Sequence, residues 1–288
     1  MISTHIIIAF LSTGLLAGLV SGLFGLGGGV VVVPLLAYLL EQNHWGDQFM
    51  QIATGTSQAV ILCTTTSALL MHHRKMSIAW RMVFVIGIAA SIGSVLGRYI
   101  IHYIPSKWLS ITFFIFIIYT VKRMLFNASK DNSGTSVAGG SSVSEGDVFV
   151  AQPAEVKISV CSIFGFTVGV FVSMLGIGGG AFIVPFLLHY GFSMVQASAI
   201  AIGAAVLISL SSTIGALLWW RSPIEIPYLL GQVYLPAWGF IAIASICSAP
   251  MGVHWAHKLD SNRLKRYFAI FLLGIALHLL WRMYLNSH

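Results

Sequence analysis

The chain has 288 residues, of which 57% are hydrophobic and only 8% are charged. Soluble domains of this size carry about 25% charged residues, so this composition excludes a water-soluble globule and indicates an integral membrane protein. The formal net charge of +7 arises from Lys and Arg residues that stand mostly between apolar stretches. That distribution is typical of membrane topology signals and lipid headgroup contacts, and it argues against a nucleic-acid partner.

The first apolar stretch, residues 6–40, is too long for one membrane crossing. As a single helix it would extend about 50 Å, whereas the hydrocarbon core is about 30 Å thick. The sequence GLGGGVVVVP at 25–34 places four glycines and a proline inside this stretch. We therefore predict a span at 5–24, a turn, and a shorter segment at 29–40. The further segments predicted in this half are 52–71, 78–101 and 108–126.

Residues 127–156 interrupt the apolar pattern with a stretch that is rich in Ser and Gly and holds four of the eight acidic residues. Such a composition cannot bury a core, so we predict a flexible linker in water. The linker separates a first transmembrane repeat, 1–126, from a second, 157–288. The segments predicted in the second half are 158–175, 180–190, 195–219, 228–256 and 264–285.

The two halves repeat one another. The second half carries GIGGGAFIVP at 176–185, which lies 151 residues after the first glycine motif. The offset is 145 residues between Gln51 and Gln196, and 155 residues between Gly97 and Gly252. A drift of this size is what loop insertions produce between related units, so the sequence indicates an internal duplication, as in many transporter folds.

The distribution of basic residues predicts how the halves are oriented. With five crossings in each half, the Lys and Arg residues divide eleven to four between the two sides of the membrane; with four crossings they divide nine to six. The positive-inside rule favours five, which places the linker in the cytoplasm and both termini outside. An odd number of crossings inverts the second half. We therefore predict an all-α polytopic integral membrane protein of two inverted repeats, each with about five membrane segments and a discontinuous helix at its glycine motif.

The glycine motifs are predicted to hold an anion. Three consecutive glycines weaken a helix by about 1 kcal/mol each, so a broken helix explains them better than helix packing, although packing alone stays open. Uncovered backbone N–H groups followed by a helix N-terminus bind an anion without a buried cation. The residues predicted to supply these groups are Gly25, Gly27, Gly28, Gly29, Gly176, Gly178, Gly179 and Gly180. Pro34 and Pro185 are predicted to fix the breaks.

The sequence TGTSQ at 54–58 supplies a second set of candidates. Thr54, Thr56 and Ser57 are predicted as uncharged donors to an oxyanion, while the alternative, bonds to carbonyl groups of their own helix, stays open. Acidic residues are almost absent from the predicted spans, which argues against a cationic substrate. Arg98 is expected at a span end with its head in the membrane interface, with attraction of the anion as the alternative role.

No set of side chains indicates an enzyme. The three cysteines, Cys63, Cys161 and Cys247, are isolated and form no CxxC pair, and the histidines lack convincing metal partners. No nucleophile stands with a base and an orienting group. We therefore expect no catalytic residues, no metal and no cofactor.

The doubled motif resembles a known family. The sequences GLVSGLFGLGGGVVVVP and GVFVSMLGIGGGAFIVP, together with ATGTS and the later MHHRKMSIAW, resemble the TauE/SafE family of membrane permeases over essentially the whole chain outside the linker. The resemblance implies movement of small sulfur-containing anions, chiefly export of sulfite and organosulfonates. The second copy reads ASAIAIG where the first has ATGTS, so the first half is expected to contribute more polar contacts.

We therefore predict a secondary transporter that exports a small oxyanion, such as sulfite or a sulfonate, by alternating access. The expected location is the plasma membrane, as a multi-pass protein of the bacterial inner membrane. Its partners would be the oxyanion and membrane lipid, and a homo-oligomer stays open. An anion channel and a non-transporting membrane scaffold or sensor are the alternatives.

Overall fold

The computed structural model describes residues 4–24, 27–42, 48–75, 78–130, 157–219 and 226–256, together with residue 274. These residues are mostly helical. The helices of the first half are α1 Thr4–Phe24, α2 Gly29–Gln42, α3 Phe49–Lys75, α4 Trp80–Ile101 and α5 Ser106–Lys130. In the second half they are α6 Ile158–Leu175, α7 Gly180–His189, α8 Met194–Leu218 and α9 Leu235–Ala256, and two short strands, β1 Leu229–Leu230 and β2 Val233–Tyr234, precede α9.

Both helix breaks lie where the glycine motifs predict them. The first break separates α1 from α2, which begins at Gly29, and the second separates α6 from α7, which begins at Gly180. The first break covers residues 25–28 and the second covers residues 176–179, so each is four residues long. Helices α2 and α7 have 14 and 10 residues, fewer than the about 20 that a perpendicular crossing needs, so either one would cross only together with the backbone of its break.

Two predicted boundaries were wrong. The segment predicted at 228–256 is helical only from Leu235, because the antiparallel pair β1–β2 occupies its first residues. Helix α5 continues to Lys130, so the first four residues predicted as linker are helical. The rest of that linker and, apart from residue 274, the segment predicted at 264–285 lie outside the described residues.

Five of the described helices are long and apolar enough to cross a membrane: α1, α4, α6, α8 and α9. Large apolar side chains point outward from them, and Ile92 of α4 and Ile163 of α6 are 60% and 71% exposed. Such surfaces are stable against lipid and not against water. The chain is therefore a multi-pass membrane protein. Helix α3 is 27 residues long, but its many hydroxyl and amide side chains keep it out of this set.

The packing of the helices is duplicated. Helix α1 packs along α9, and α6, its equivalent, packs along α4, the equivalent of α9. In both interfaces a glycine faces the backbone of the partner so closely that a Cβ atom would collide with it. The equivalent pairs in α1–α9 and α6–α4 are Gly14–Ile241 with Gly165–Ile86, and Gly18–Ser245 with Gly169–Ala90. The small residues therefore allow the same close approach twice.

Helices α3 and α8 pack against one another between these two interfaces. The remaining contacts also come in equivalent pairs, since α3 packs on α9 as α8 packs on α4, and α2 lies on α3 as α7 lies on α8. Both short helices after the glycine breaks thus lie on a central helix of their own half. Buried polar residues of α3, among them Thr54, Ser57 and Gln58, lie where these helices meet.

Candidate functional site

The two glycine motifs meet at the centre of the molecule. A Cβ atom on Gly27 would lie 2.7 Å from Cα of Gly178, and one on Gly29 would collide with the carbonyl oxygen of Gly176. Gly27 and Gly28 have φ values of 78° and 74°, and Gly176 has a φ of 67°. Residues with a Cβ rarely adopt this left-handed conformation. Both the turn and the close approach therefore require glycine here.

The other members of the predicted set have different positions. Gly179 precedes α7 with φ −59°, and Gly180 is its first residue. Pro34 and Pro185 lie inside α2 and α7, each at the sixth residue of its helix, so the chain turns at the glycines and is already helical at the prolines. Gly25 lies outside the described residues.

Side chains of α3 bind the carbonyl groups at the second break. The Ser57 hydroxyl donates to the carbonyl of Gly176 at 2.8 Å, and Nε2 of Gln58 donates to the carbonyls of Val172 at 2.9 Å and Ile177 at 3.4 Å. The last carbonyls of a helix lack donors within the helix. The Val172 carbonyl also accepts from the backbone N–H groups of Gly176 and Ile177, so the donors from α3 add to those of the break and fix the second motif to the first half.

The two threonines also donate to main-chain carbonyls. The Thr54 hydroxyl donates to the carbonyl of Gln51 at 3.0 Å, and the Thr56 hydroxyl donates to the carbonyl of Gln232 at 3.4 Å. Thr56 Oγ1 also accepts from the backbone N–H of Tyr234 at 2.9 Å. The hydroxyl hydrogens of Thr54, Thr56 and Ser57 are therefore all directed at carbonyl groups of the protein.

Arg98 of α4 is the charged group of this centre. Its side chain is 2% exposed. Nε donates to the Ser212 hydroxyl at 2.9 Å and Nη2 to the Thr54 carbonyl at 3.0 Å; Nη1 donates to Gln232 Oε1 at 2.9 Å and to the Thr54 hydroxyl at 3.3 Å. All of these acceptors are neutral, and no described residue forms an ion pair with Arg98. Within the described part of the chain, the guanidinium is thus hydrogen-bonded without a counter-charge.

Glycines on α4 itself and on α8 allow Arg98 to reach this position. Gly97 lies against the backbone of α6 at Val170, so the next residue, Arg98, faces the opposite neighbours α3 and α8. On α8, Gly215 faces the Arg98 Cβ, and a Cβ on Gly215 would lie 3.3 Å from it. The interface position predicted for Arg98 was therefore wrong, because the Arg98 stem is enclosed by packed helices and cannot extend to the membrane surface.

The hairpin β1–β2 brings Gln232 to Arg98. Leu230 pairs with Val233, so Gly231 and Gln232 form its two-residue turn, and Gly231 has the positive φ, 58°, that such turns need. The Gln232 N–H donates to the carbonyl of Ala216 at 2.9 Å, which ties the turn to α8. The turn also rests on α3, where a Cβ on Gly55 would lie 2.6 Å from the Gln232 Cβ.

One polar atom beside the break has no hydrogen-bond partner among the described residues. Gln58 is fully buried and uses Nε2 on the two carbonyls of the break, which leaves its Oε1 unpaired. Gln58 stands four residues after Thr54, so the two lie one above the other on the same face of α3. Buried acceptors are rarely left unpaired. A ligand bound beside Arg98 would find this acceptor one helical turn away.

The sequence pointed to the glycines and hydroxyls that lie here, gave Arg98 attraction of an anion only as an alternative role, and did not point to Gln232. Arg98 was assigned to the interface because it stands near a span end, and Gln232 was assigned to a helix. The duplication contained a signal for Arg98: the 155-residue offset aligns it with Val253. A charge that stands where the related half has valine marks a position at which the halves differ in chemistry.

Comparisons with known proteins identify the family. The family model described as "Sulfite exporter TauE/SafE" matches residues 10–279. A "Probable membrane transporter protein" of Haemophilus influenzae is 31% identical over 276 residues, 95% of this chain and 97% of the relative. Two further probable membrane transporter proteins also match. The one from Methanocaldococcus jannaschii is 26% identical over 88% of this chain and 87% of the relative. The one from Xylella fastidiosa strain Temecula1 is 25% identical over 96% of this chain and 95% of the relative. No solved structure matches this chain. The chain belongs to the sulfite exporter TauE/SafE family of membrane transporters.

Proposed function

We propose that this protein is a secondary transporter that exports small sulfur-containing anions, such as sulfite or organosulfonates, and binds them at Arg98. The observation that carries the proposal is a buried guanidinium whose described partners are all neutral. A buried charge without a counter-charge is costly, and an anion that binds beside it removes that cost. The description of the matching family model supports the choice of sulfur anions.

The two helix breaks would supply neutral hydrogen-bond donors, which a charge alone does not provide. The two glycine motifs are in contact with one another beside α3. Irregular backbone is tolerated at membrane depth where it is enclosed by protein or lines a cavity. Main-chain N–H groups at the start of α2 and α7 would add neutral donors around the anion. The hydroxyls of Thr54, Thr56 and Ser57 would then hold Arg98, the hairpin and the second break in place and would not themselves be the main donors.

Alternating access and the inverted arrangement belong to the same proposal. The equivalent interfaces α1–α9 and α6–α4 support two structurally related halves, and five segments per half would relate them by an axis in the membrane plane. A site at the meeting point of two such halves can be exposed to either side in turn. The linker would lie in the cytoplasm.

The experiment is transport in proteoliposomes. Purified protein is reconstituted, and labelled sulfite, ethanesulfonate and sulfate are followed in the presence and absence of an imposed proton gradient. We expect saturable movement of sulfite or ethanesulfonate that the gradient drives uphill. Flux that never accumulates substrate against its gradient would identify an anion channel. If neither sulfite nor ethanesulfonate moves under any gradient, the proposed function is wrong, and the scaffold or sensor alternative takes its place.

A further inference from the structure

We propose that the centre at Arg98 selects its substrate by charge number and binds monoanions, such as sulfonates or hydrogensulfite, in preference to dianions such as sulfate. This inference rests on the proposed function and specifies the substrate class of the same site. The basis for charge selection is the set of formal charges around Arg98, which follow from its hydrogen-bond contacts.

Counted over the described residues, the formal charge of the centre is a single positive unit. The hydrogen-bond partners of Arg98 are Thr54, Ser212 and Gln232, and the neighbouring side chains on α3 are Ser57 and Gln58; all are neutral. Among the buried side chains that the structure describes, His72 is the other group that could carry a positive charge. It lies 18 residues after Thr54, which is about 27 Å along α3 and beyond direct contact with the centre.

The helix ends at the two breaks add little net charge. The N-termini of α2 and α7 each carry a partial positive charge, but α1 and α6 end within a few residues of them and carry partial negative charges. At the second break the carbonyls of Val172, Gly176 and Ile177 are already paired with Ser57 and Gln58. The breaks therefore supply hydrogen-bond donors for oxygen atoms and no second positive unit.

A monoanion makes this centre electrically neutral, whereas a dianion leaves one negative charge in an enclosed site. Without a second cation, that charge loses its hydration and gains only neutral donors. Arg98 also cannot change its own charge to suit the ligand, because arginine stays protonated in proteins. We therefore expect a dianion to bind about 100-fold or more weakly than a monoanion of the same size.

The test is competition between matched anions of fixed charge. Proteoliposomes loaded with ethanesulfonate take up labelled ethanesulfonate by counterflow, and unlabelled methanesulfonate, ethanesulfonate, sulfate or ethane-1,2-disulfonate is added outside. Half-inhibition by sulfate should need about 100 times the concentration of methanesulfonate, and the disulfonate should compare with ethanesulfonate in the same way. If each dianion inhibits within about threefold of its monoanion, the inference is overturned while the proposed function stands.

Two variants separate charge number from geometry. Arg98→Lys keeps one charge but loses the forked contacts, so overall affinity should fall while the ratio between monoanion and dianion stays within about threefold of wild type. Gln232→Lys adds a second cation beside Arg98 and should reduce the ratio to about tenfold or less. A ratio that is unchanged in folded Gln232→Lys would contradict the inference.

A binding measurement covers the case in which no counterflow is observed. Absence of counterflow for every sulfonate and for sulfite would refute transport. Thermal stabilisation of the detergent-solubilised protein by methanesulfonate, compared with sulfate at equal ionic strength, would then decide charge selection on its own. Equal stabilisation by both anions, or by neither, would refute it.

Discussion

Equivalent positions in the two halves carry opposite chemistry. In the first half, Arg98 of α4 lies between α3 and α8 among hydroxyl and amide groups. The equivalent residue of α9, Val253, lies in a small apolar cluster with Ala68 and Ile202. Ile202 in turn occupies the position equivalent to Ser57. The halves therefore share their backbone packing but differ in chemistry at this position.

The largest effect is expected from moving the charge into the apolar cluster. Val253→Arg would bury a cation in the apolar cluster of Ala68 and Ile202, at a cost of about 3–5 kcal/mol in folding free energy. The fraction of monodisperse protein in size-exclusion chromatography should collapse. Val253→Ala is the control and should remain monodisperse, because it only removes two methyl groups. A well-folded Val253→Arg protein would show that the two positions are interchangeable.

The next largest effect should come from removing the charge where it stands. Arg98→Gln keeps a hydrogen-bonding side chain but removes the positive unit, and we expect sulfite or ethanesulfonate transport to fall about 100-fold or more. Transport is measured in proteoliposomes at matched protein density, and a melting curve checks the fold. Val253→Gln is the matched control at the equivalent position. Equal transport by wild type and Arg98→Gln would remove Arg98 from the binding site.

The hairpin β1–β2 is a further difference between the two halves. Gly55 leaves room for Gln232, whereas the equivalent residue in the second half is Ile200, opposite which the described chain has no hairpin. Gly55→Ala should push the turn away and break the Gln232–Arg98 contact, with transport reduced about tenfold, since a lost hydrogen bond to a charged group is worth about 1.5–3 kcal/mol. Transport and melting are both measured. Ile200→Ala, the control, should change stability without a specific loss of transport.

The smallest effect is expected at the second break. Ser57→Ala removes the donor to the Gly176 carbonyl and should lower the free energy of unfolding by about 1 kcal/mol. We expect transport to change by less than about threefold, because the hydroxyl hydrogen is committed to the protein. Thr66→Ala, which removes an exposed bond within α3, is the control for stability. A loss of transport comparable to that of Arg98→Gln would instead make Ser57 a direct substrate ligand.

Much of the fold could be read from the sequence, because the signals were local. Apolar length predicted the spans, and glycine positions predicted both breaks. The hairpin was missed because most of residues 228–234 are apolar and lead directly into α9, although Gly231 and Gln232 mark its turn. The spacing between the repeats did contain a signal for the hairpin. The offset rises from 145 residues at α3 and α8 to 155 residues at α4 and α9, so ten extra residues lie between α8 and α9, where the hairpin is found.

The candidate site was harder to predict because its residues come together only in the packed molecule. Thr54, Arg98 and Ser212 lie on three helices from both halves. Arg98 also follows a glycine that packs on α6, and this decides which way the guanidinium points. A span-end arginine in an isolated helix extends to the interface, but tertiary packing overrides that preference here.

The close α1–α9 and α6–α4 interfaces have an evolutionary consequence. Each pairs the first helix of one half with the fourth helix of the other, and equivalent residues build both. A single half on its own would leave both faces bare, and a second copy of that half would have the faces to cover them. One chain that holds both halves thus contains the same two interfaces that a homodimer of one half would form. Once joined, the two copies no longer have to be identical, so one can keep an arginine while the other has a valine at the same place.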